Sequence, residues 1–386
     1  MTNTNEYAIA IRMAVMKHTG NRSIYVYTNT AETIPADFIP CVNFGKQVTF
    51  EIIDEEIERF IKDNGIPRVV KINYLASFVI AESPAAALAV NNSLVSDTSI
   101  ADIPIATGTS QDSRLSGCIA IVTGSAQGFG KGIAEELALK GSAITIADLN
   151  DELGQQFAEE LNKKFGNGTA IFCKTNVTSS ESLDQCVADT IDAFGGVDMF
   201  VSNAGVLKAG PVDELDEAAF DFVTSVNYKA YFLCVKAVVP VFKMQNKLNT
   251  KLFMDVIQIN SKSGLEGSNK NFAYAGSKFG TIGMTQSFAK ELVEYNIKVN
   301  SICPGNYYDG PLWSDPEKGL FVQYLTAGKV PGAKTVEEVK QFYMKQTPMN
   351  RGCLPSDVAV AICYASEQNY ETGQAIPVTG GQVMLN

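Results

Sequence analysis

Histidine is almost missing from this chain of 386 residues: His18 is the only one. A zinc site with two or more histidine ligands is therefore impossible, and imidazole acid–base chemistry has a single candidate, outside any recognisable motif. The eight cysteines (Cys41, Cys118, Cys173, Cys186, Cys234, Cys303, Cys353 and Cys363) never form a Cys-x-x-Cys pair. Neither a zinc cluster nor a disulfide framework announces itself, so no metal is expected and the thiols read as reduced core residues of a cytoplasmic protein. No run approaches the ~20 apolar residues that span a bilayer. The opening "MTNTNEYAIAIRMAVMKHTG" has polar residues where a secretory leader needs a basic start and an apolar run. Positive charge is also in short supply, with 31 Lys+Arg against 42 Asp+Glu and a formal net charge of −11. Without basic clusters, that balance argues against nucleic acid or a membrane surface as partner.

What is present is the material of a globular protein. Apolar residues make up 46% and charged residues 19%, enough to bury a core, and the length suggests two or three units. Residues 1–106 read as a small mixed α/β unit without a chemical motif. "SIYVYTN" and "RVVKINYLASFVIA" carry strand-forming residues. "DEEIERFIKDNG" predicts a helix with Asp54 near its start, Ile57, Phe60 and Ile61 on one face, and Gly65 as its stop. In "SPAAALAVNNSLV", Ser83 is placed as N-cap and Pro84 at the first helical position. The small, polar residues 107–114 read as a linker.

From Leu115 the rhythm changes. "GCIAIVTG", "AITIADLN" and "TAIFCKTNVT" predict strands, and "KGIAEELALKG" and "ELGQQFAEELNKKFG" predict the helices between them. That alternation over residues 115–386 predicts a parallel sheet with helices on both faces. In "TGSAQGFG", Gly124, Gly128 and Gly130 follow the first strand and open a helix. A tight turn, a close backbone approach and the free N–H groups of a helix start suit the phosphates of a dinucleotide, although glycines alone could make only a flexible turn. Asp148 ends the next strand, about 20 residues on. A carboxylate there can bind the ribose hydroxyls of NAD and repel the 2′-phosphate of NADP, unless it is an ordinary loop aspartate.

Further along, "QINSKSGLEGSNKNFAYAGSKFG" places Ser261 ahead of Tyr274 and Lys278 four residues after it. Residues four apart share a helix face, and an ammonium beside a phenol favours the phenolate. By itself the pattern also fits an ordinary polar helix.

Taken in order, Thr-Gly-x-x-x-Gly-x-Gly, "NAG" at Asn203–Gly205, "SVNYKA" with Asn227, the Ser261/Tyr274/Lys278 set and "CPG" at Cys303–Gly305 resemble the short-chain dehydrogenase/reductase family. The resemblance covers residues 115–386 and implies a Rossmann-type doubly wound sheet with NAD as cofactor. It implies that Tyr274 is the general acid/base, that Lys278 lowers its pKa and holds the nicotinamide ribose, that Ser261 holds the substrate oxygen, and that Asn227 anchors a water. It further implies a coenzyme site built from Gly124, Gln127, Gly128, Phe129, Gly130, Asp148, Leu149, Asn176, Val177, Asn203, Ala204, Gly205, Tyr274, Lys278, Pro304 and Gly305. Two positions depart from the family pattern. Asn176 stands where an aspartate is usual, which predicts an altered adenine contact, and Phe129 replaces a small aliphatic residue.

Blocks such as "IQINSKSG", "RGC" at Arg351–Cys353 and "YETGQAIPVTGGQVML" resemble the sorbitol-6-phosphate 2-dehydrogenases within that family. The implied reaction interconverts D-sorbitol 6-phosphate and D-fructose 6-phosphate. The alternative is an unphosphorylated polyol, sugar or other secondary alcohol. A sugar phosphate requires cations at the substrate end of the cleft, and Lys208, Lys262 and Arg351 are the candidates, with Lys270 nearby. The family resemblance also implies a homo-oligomer, tetramer or dimer. The stretch 67–90 is similar to the end of sugar-phosphate aldolase modules, but with His18 alone a working zinc aldolase is excluded. Residues 1–106 are read as a structural or oligomerisation appendage.

Overall fold

The computed structural model describes residues 2–30, 41–45, 48–96, 115–317, 319–326 and 328–384; the expected linker 107–114 lies outside them. The first part of the chain runs α1 (Asn3–Thr19), β1 (Tyr25–Asn29), β2 (Cys41–Phe44), α2 (Phe50–Asn64), β3 (Val69–Ile72), β4 (Ala76–Ala81) and α3 (Pro84–Ser96). Its four strands form one mixed sheet in the order β1-β4-β3-β2. Helix α3 starts as expected, with Ala86 N–H donating to Ser83 Oγ at 3.2 Å. Helix α2 starts four residues before Asp54, because Thr49 caps it by accepting from Ile52 N–H. It buries Ile53 as well as Ile57. The apolar stretch 68–81 splits into the antiparallel pair β3 and β4, turning at Tyr74 with φ +63°.

The remainder alternates as the sequence predicts. In order it runs β5 (Ile119–Thr123), α4 (Gly128–Leu139), β6 (Ala143–Asp148), α5 (Asp151–Phe165), β7 (Ala170–Lys174), α6 (Ser180–Phe194) and β8 (Met199–Ser202). Then come α7 (Glu217–Thr224), α8 (Ala230–Leu248), β9 (Met254–Ile259), α9 (Phe272–Leu292) and β10 (Ile297–Pro304). Three short helices, α10 (Pro311–Ser314), α11 (Leu320–Thr326) and α12 (Val336–Lys345), precede α13 (Pro355–Glu367) and β11 (Ala375–Val378). The seven strands are all parallel, in the order β11-β10-β9-β8-β5-β6-β7. Every residue of β5, β8, β9 and β10 is buried, which is why these strands read as apolar runs and not as alternating ones. The order reverses between β5 and β8, and a crevice at their carboxyl ends is where such sheets bind ligands.

Two clusters cover the two faces of the sheet. Ile133, Leu137, Phe157, Leu161, Val358 and Ile362 pack on one face. On the other, a single cluster runs from Ile9, Met13 and Phe78 of the first part through Val187 and Ile191 of α6 to Val238 and Phe242 of α8. Helix α1 is therefore interior to the molecule, with every residue from Ala8 to Met16 buried. A helix buried around its whole circumference has no polar stripe, so the sequence gives no amphipathic signal for it. Its one interior charge, Arg12, is 0% exposed. It donates to both oxygens of Asp198 (3.0 and 2.7 Å), to Ile24 O (2.8 Å) and to Gly117 O (3.2 Å).

Candidate active site

The crevice at the β5/β8 reversal begins with the turn that follows β5. Gly124 has φ +65°, and a Cβ there would meet the Ala204 backbone at 2.9 Å. At Gly130 a Cβ would lie 2.1 Å from Gly124 O. Only glycine fits either position, so the turn closes tightly on the start of α4. Gln127 makes no side-chain hydrogen bond to that helix start, leaving its first N–H groups free for an anion. Asn203 holds the turn from behind, donating to Thr123 O at 2.8 Å and Gly124 O at 3.1 Å. The Asn203 and Ala204 N–H groups both reach Thr123 Oγ1. A cradle that side chains would fill, next to an uncapped helix, fits the pyrophosphate of a dinucleotide.

Asp148 ends β6 with its carboxylate fixed by Ala126 N–H and Asn150 N–H, each at 2.9 Å. Leu149, beside it, is exposed. The Asn176 side-chain oxygen accepts from both the N–H and the hydroxyl of Thr178. It is thus committed to its own turn, and the amide NH2 is the group left over for an adenine; Val177 next to it is buried. Phe129 packs against Tyr307 with ring centroids 4.7 Å apart and the planes tilted by 36°. The bulky residue thereby ties the glycine turn to the segment after Pro304 and Gly305, a contact the sequence did not reveal.

The residues expected to handle the proton meet at the carboxyl end of β9. Tyr274 and Lys278 lie on α9, with Lys278 Nζ 5.6 Å from the Tyr274 ring centroid. Ser261 follows β9, where its hydroxyl accepts from Ser263 N–H at 3.1 Å and acts to lower the Tyr274 pKa. Asn260, overlooked in the sequence, fixes this arrangement. Its oxygen accepts from Ser261 N–H at 2.7 Å, and its NH2 donates to Lys278 O at 2.9 Å and Thr281 Oγ1 at 3.0 Å. Asn227 sits in a π-helical turn, Ser225–Lys229, between α7 and α8, a distortion often found at functional sites. It exchanges two 2.8 Å hydrogen bonds with the Val206 backbone and donates to Ser277 Oγ, which in turn donates to Tyr274 O. A Cβ on Gly205 would stand 3.3 Å from Asn227 Oδ1 and 4.0 Å from Lys278 Nζ, so Asn227, Lys278 and the Asn-Ala-Gly turn share one corner.

The electrostatics differ from the expectation that Lys278 lowers the phenol. Burial pushes Tyr274 above the ordinary tyrosine range, and Ser261 pulls it part of the way back. Lys278 is the more perturbed partner. It is 4% exposed, donates to Ile259 O at 2.8 Å, and burial brings its pKa down to about 8. Cys303, at the end of β10, has its thiol pushed up to about 12 by burial, against the pull of Lys278.

The cations expected at the substrate end divide. Lys208 is exposed and Lys262 half-buried. Arg351 instead clamps Asp357 with both terminal nitrogens, at 2.5 and 2.8 Å, and donates to Gly352 O. Asp357 also caps α13 through Leu354 N–H. Arg351 therefore fastens the entry to a helix, and its fork is occupied.

Comparison with known proteins gives the same outline. A family model described as short chain dehydrogenase matches residues 118–314. The sorbitol-6-phosphate 2-dehydrogenase of Escherichia coli K12 is 35% identical over 269 residues, 69% of this chain and 99% of that one. The crystal structure of sorbitol-6-phosphate 2-dehydrogenase from Erwinia amylovora matches with TM-score 0.63 and 36% identity, covering 69% of this chain and 100% of that one. An actinorhodin polyketide ketoreductase solved with NADPH matches with TM-score 0.61 and 26% identity, over 70% of this chain and 98% of its own.

Proposed function

The chain belongs to the short-chain dehydrogenase family of oxidoreductases, and from that premise we propose an NAD-dependent enzyme interconverting D-sorbitol 6-phosphate and D-fructose 6-phosphate. The observation that carries the substrate is likeness at 35–36% identity across the full length of two sorbitol-6-phosphate 2-dehydrogenases. The choice of NAD over NADP rests on Asp148, whose carboxylate is pinned at the end of β6. There it accepts from ribose hydroxyls and repels a 2′-phosphate.

A nicotinamide coenzyme, when bound, supplies the acceptor or donor of hydride. The chain handles the proton. Tyr274 takes it from the substrate hydroxyl at its phenol oxygen and returns it in the reverse direction. Ser261 holds the substrate oxygen against that phenol. Lys278, whose pKa of about 8 lies close to working pH, keeps a proton within reach of the site. Asn227, locked to the Val206 backbone, anchors the route from Lys278 to solvent.

One observation favours the second reading, an unphosphorylated polyol or other secondary alcohol: Arg351 is already paired with Asp357. A spectrophotometric assay of reduced nicotinamide separates the readings, with NAD and NADP tested against sorbitol and sorbitol 6-phosphate. The expected result is turnover of the phosphate ester with NAD and at least ~100-fold loss in Tyr274→Phe. Equal or better turnover of free sorbitol sinks the first reading.

The same proposal covers the molecule's setting. We read residues 1–106 as a structural appendage to a catalytic unit at 115–386. A reducing, cytoplasmic compartment is supported by free cysteines at Cys118, Cys173, Cys186, Cys234, Cys303, Cys353 and Cys363. Among the described residues no helix is long and apolar enough to cross a membrane. Self-association is supported by exposed Phe220, Phe222, Phe232, Phe272 and Phe279 on α7, α8 and α9.

A further inference from the structure

Asn260 takes no part in the proton transfer, yet both polar atoms of its side chain are engaged. It follows β9 directly and is 3% exposed. Its Oδ1 accepts from Ser261 N–H at 2.7 Å. Its NH2 faces three acceptors: Lys278 O at 2.9 Å, Thr281 Oγ1 at 3.0 Å and Gln258 Oε1 at 2.9 Å. A backbone N–H can only donate and a backbone carbonyl can only accept, so the two ends of the amide are not interchangeable. Turned over, it would set its NH2 against Ser261 N–H and its oxygen against Lys278 O. Gly264 makes room for it, since a Cβ there would stand 2.2 Å from Asn260 Oδ1 and 3.1 Å from Lys278 O.

The amide is one node of an enclosed network. Gln258 Oε1 also accepts from Ser301 Oγ of β10 at 2.6 Å, and the Thr281 hydroxyl donates to Lys278 O at 2.9 Å. Lys278 closes the circuit from its other end, where Nζ donates to Ile259 O at 2.8 Å. Gln258, Lys278, Thr281 and Ser301 are all buried. The second turn of α9 is therefore held to the end of β9 twice, through the backbone of Lys278 and through its ammonium. Tyr274 lies one turn earlier on the same helix, and the same amide sets Ser261. Displacing any member of such a network leaves polar groups unpaired in a dry interior, so the network specifies one geometry.

We propose that Asn260 is a positioning residue for the reaction, a single side chain that sets Ser261 and Lys278, and with them Tyr274, in register. Enclosed as it is, it acts through those residues. This rests on the dehydrogenase reading of the site but not on which alcohol is oxidised.

The test uses the full chain, with sorbitol 6-phosphate as substrate, or free sorbitol if that is the alcohol turned over. Asn260→Ala is expected to lower kcat roughly tenfold or more, because small misplacements of reacting groups are costly. The double-mutant cycle with Ser261→Ala separates positioning from general loosening. Because Asn260 acts partly through Ser261, the loss it causes in the Ser261→Ala background should be smaller by a factor of about 3 or more. Thr281→Val keeps its shape and removes one partner of the amide; a loss of roughly two- to fivefold, coupled in the same sense, is expected, and this variant carries the test if Asn260→Ala does not fold. An unchanged kcat, or losses that multiply across the cycle, overturns the assignment. If the unmodified protein oxidises no alcohol with NAD or NADP, the functional reading fails, and amide hydrogen exchange then decides the positioning claim by itself. Exchange at Ser261 should speed up roughly tenfold or more in Asn260→Ala, and by a smaller factor in Thr281→Val, with β6 unaffected. Unchanged exchange at Ser261 overturns it.

Discussion

Two of the buried cations of this protein, Arg12 where the N-terminal region meets the parallel sheet and Lys278 at the site, are held on opposite terms. Arg12 is wholly enclosed, but its guanidinium is met by both oxygens of Asp198 and by two backbone carbonyls. Asp198 is satisfied in turn, also accepting from Ile119 N–H at 2.9 Å. Lys278 is almost as deep, yet it has a single carbonyl, Ile259 O, and no carboxylate partner among the described residues. The first arrangement fixes where α1 sits. The second makes the charge costly and its proton easily lost. A buried cation with a matched anion is architecture; one without is a candidate for chemistry.

The comparison is broken most directly at Arg12. Arg12→Ala leaves the Asp198 carboxylate buried without its partner, a change that costs about 3–5 kcal/mol. Trp313 lies far along the chain from α1, so its fluorescence reports on the catalytic region, while far-ultraviolet dichroism reports on the whole. Because one apolar cluster spans both regions, the two urea transitions are expected to move together. A loss below about 1 kcal/mol, or a Trp313 transition that stays in place, would mean that the first part is an independent appendage. Replacing both partners, as Arg12→Met with Asp198→Asn, should recover part of the stability.

Lys278→Met should do the reverse. The folded protein holds the ammonium pKa at about 8 against the ordinary 10.5. Between those values the unfolded chain carries a proton that the folded chain has shed, so stability rises with pH across that window. Below about pH 8 the full penalty is present, roughly 3 kcal/mol. The methionine variant is therefore expected to be more stable than the unmodified chain at pH 7, by up to that amount. The advantage should fade toward pH 10.5, and turnover should be lost throughout. An equal or lower midpoint at pH 7 would show that the hydrogen bond to Ile259 offsets the burial.

The two regions were also unequally legible. Tyr274 and Lys278 are four residues apart on one helix, and Gly124 to Gly130 lie in one turn, so local spacing carries most of the site. The alternation of buried strands and amphipathic helices likewise exposes the parallel sheet. Arg12 and Asp198 are 186 residues apart, and nothing local marks them as partners. Helix α1 has no polar face to give it a period. The turn between β3 and β4 includes Asn73, but its left-handed position falls on Tyr74, a residue that does not announce such a backbone. The fork of Arg351 is unavailable only because Asp357 faces it.

The smallest expected effect gives the comparison its control. Helix α1 ends in a second set of charges, where Lys17 Nζ and His18 Nε2 meet Asp54 of α2 at 2.6 and 2.8 Å. Here water reaches the pair, the Lys17 side chain being 45% and the Asp54 side chain 30% exposed. Partial burial pushes the Asp54 pKa up, but the hydrogen bonds from Lys17 and His18 outweigh it and hold the carboxyl below its ordinary 3.8. A depressed carboxyl contributes stability above its unfolded pKa and loses that contribution as pH falls through the folded value. Asp54→Asn should therefore cost under about 1 kcal/mol at neutral pH, less at high salt, and nothing in strong acid. The same helix thus carries one ion pair in water and one in the core, joined to different neighbours. If urea titration gave Asp54→Asn a loss as large as that of Arg12→Ala, solvent exposure would not be what separates them. The contrast between Arg12 and Lys278 would then have to rest on geometry alone.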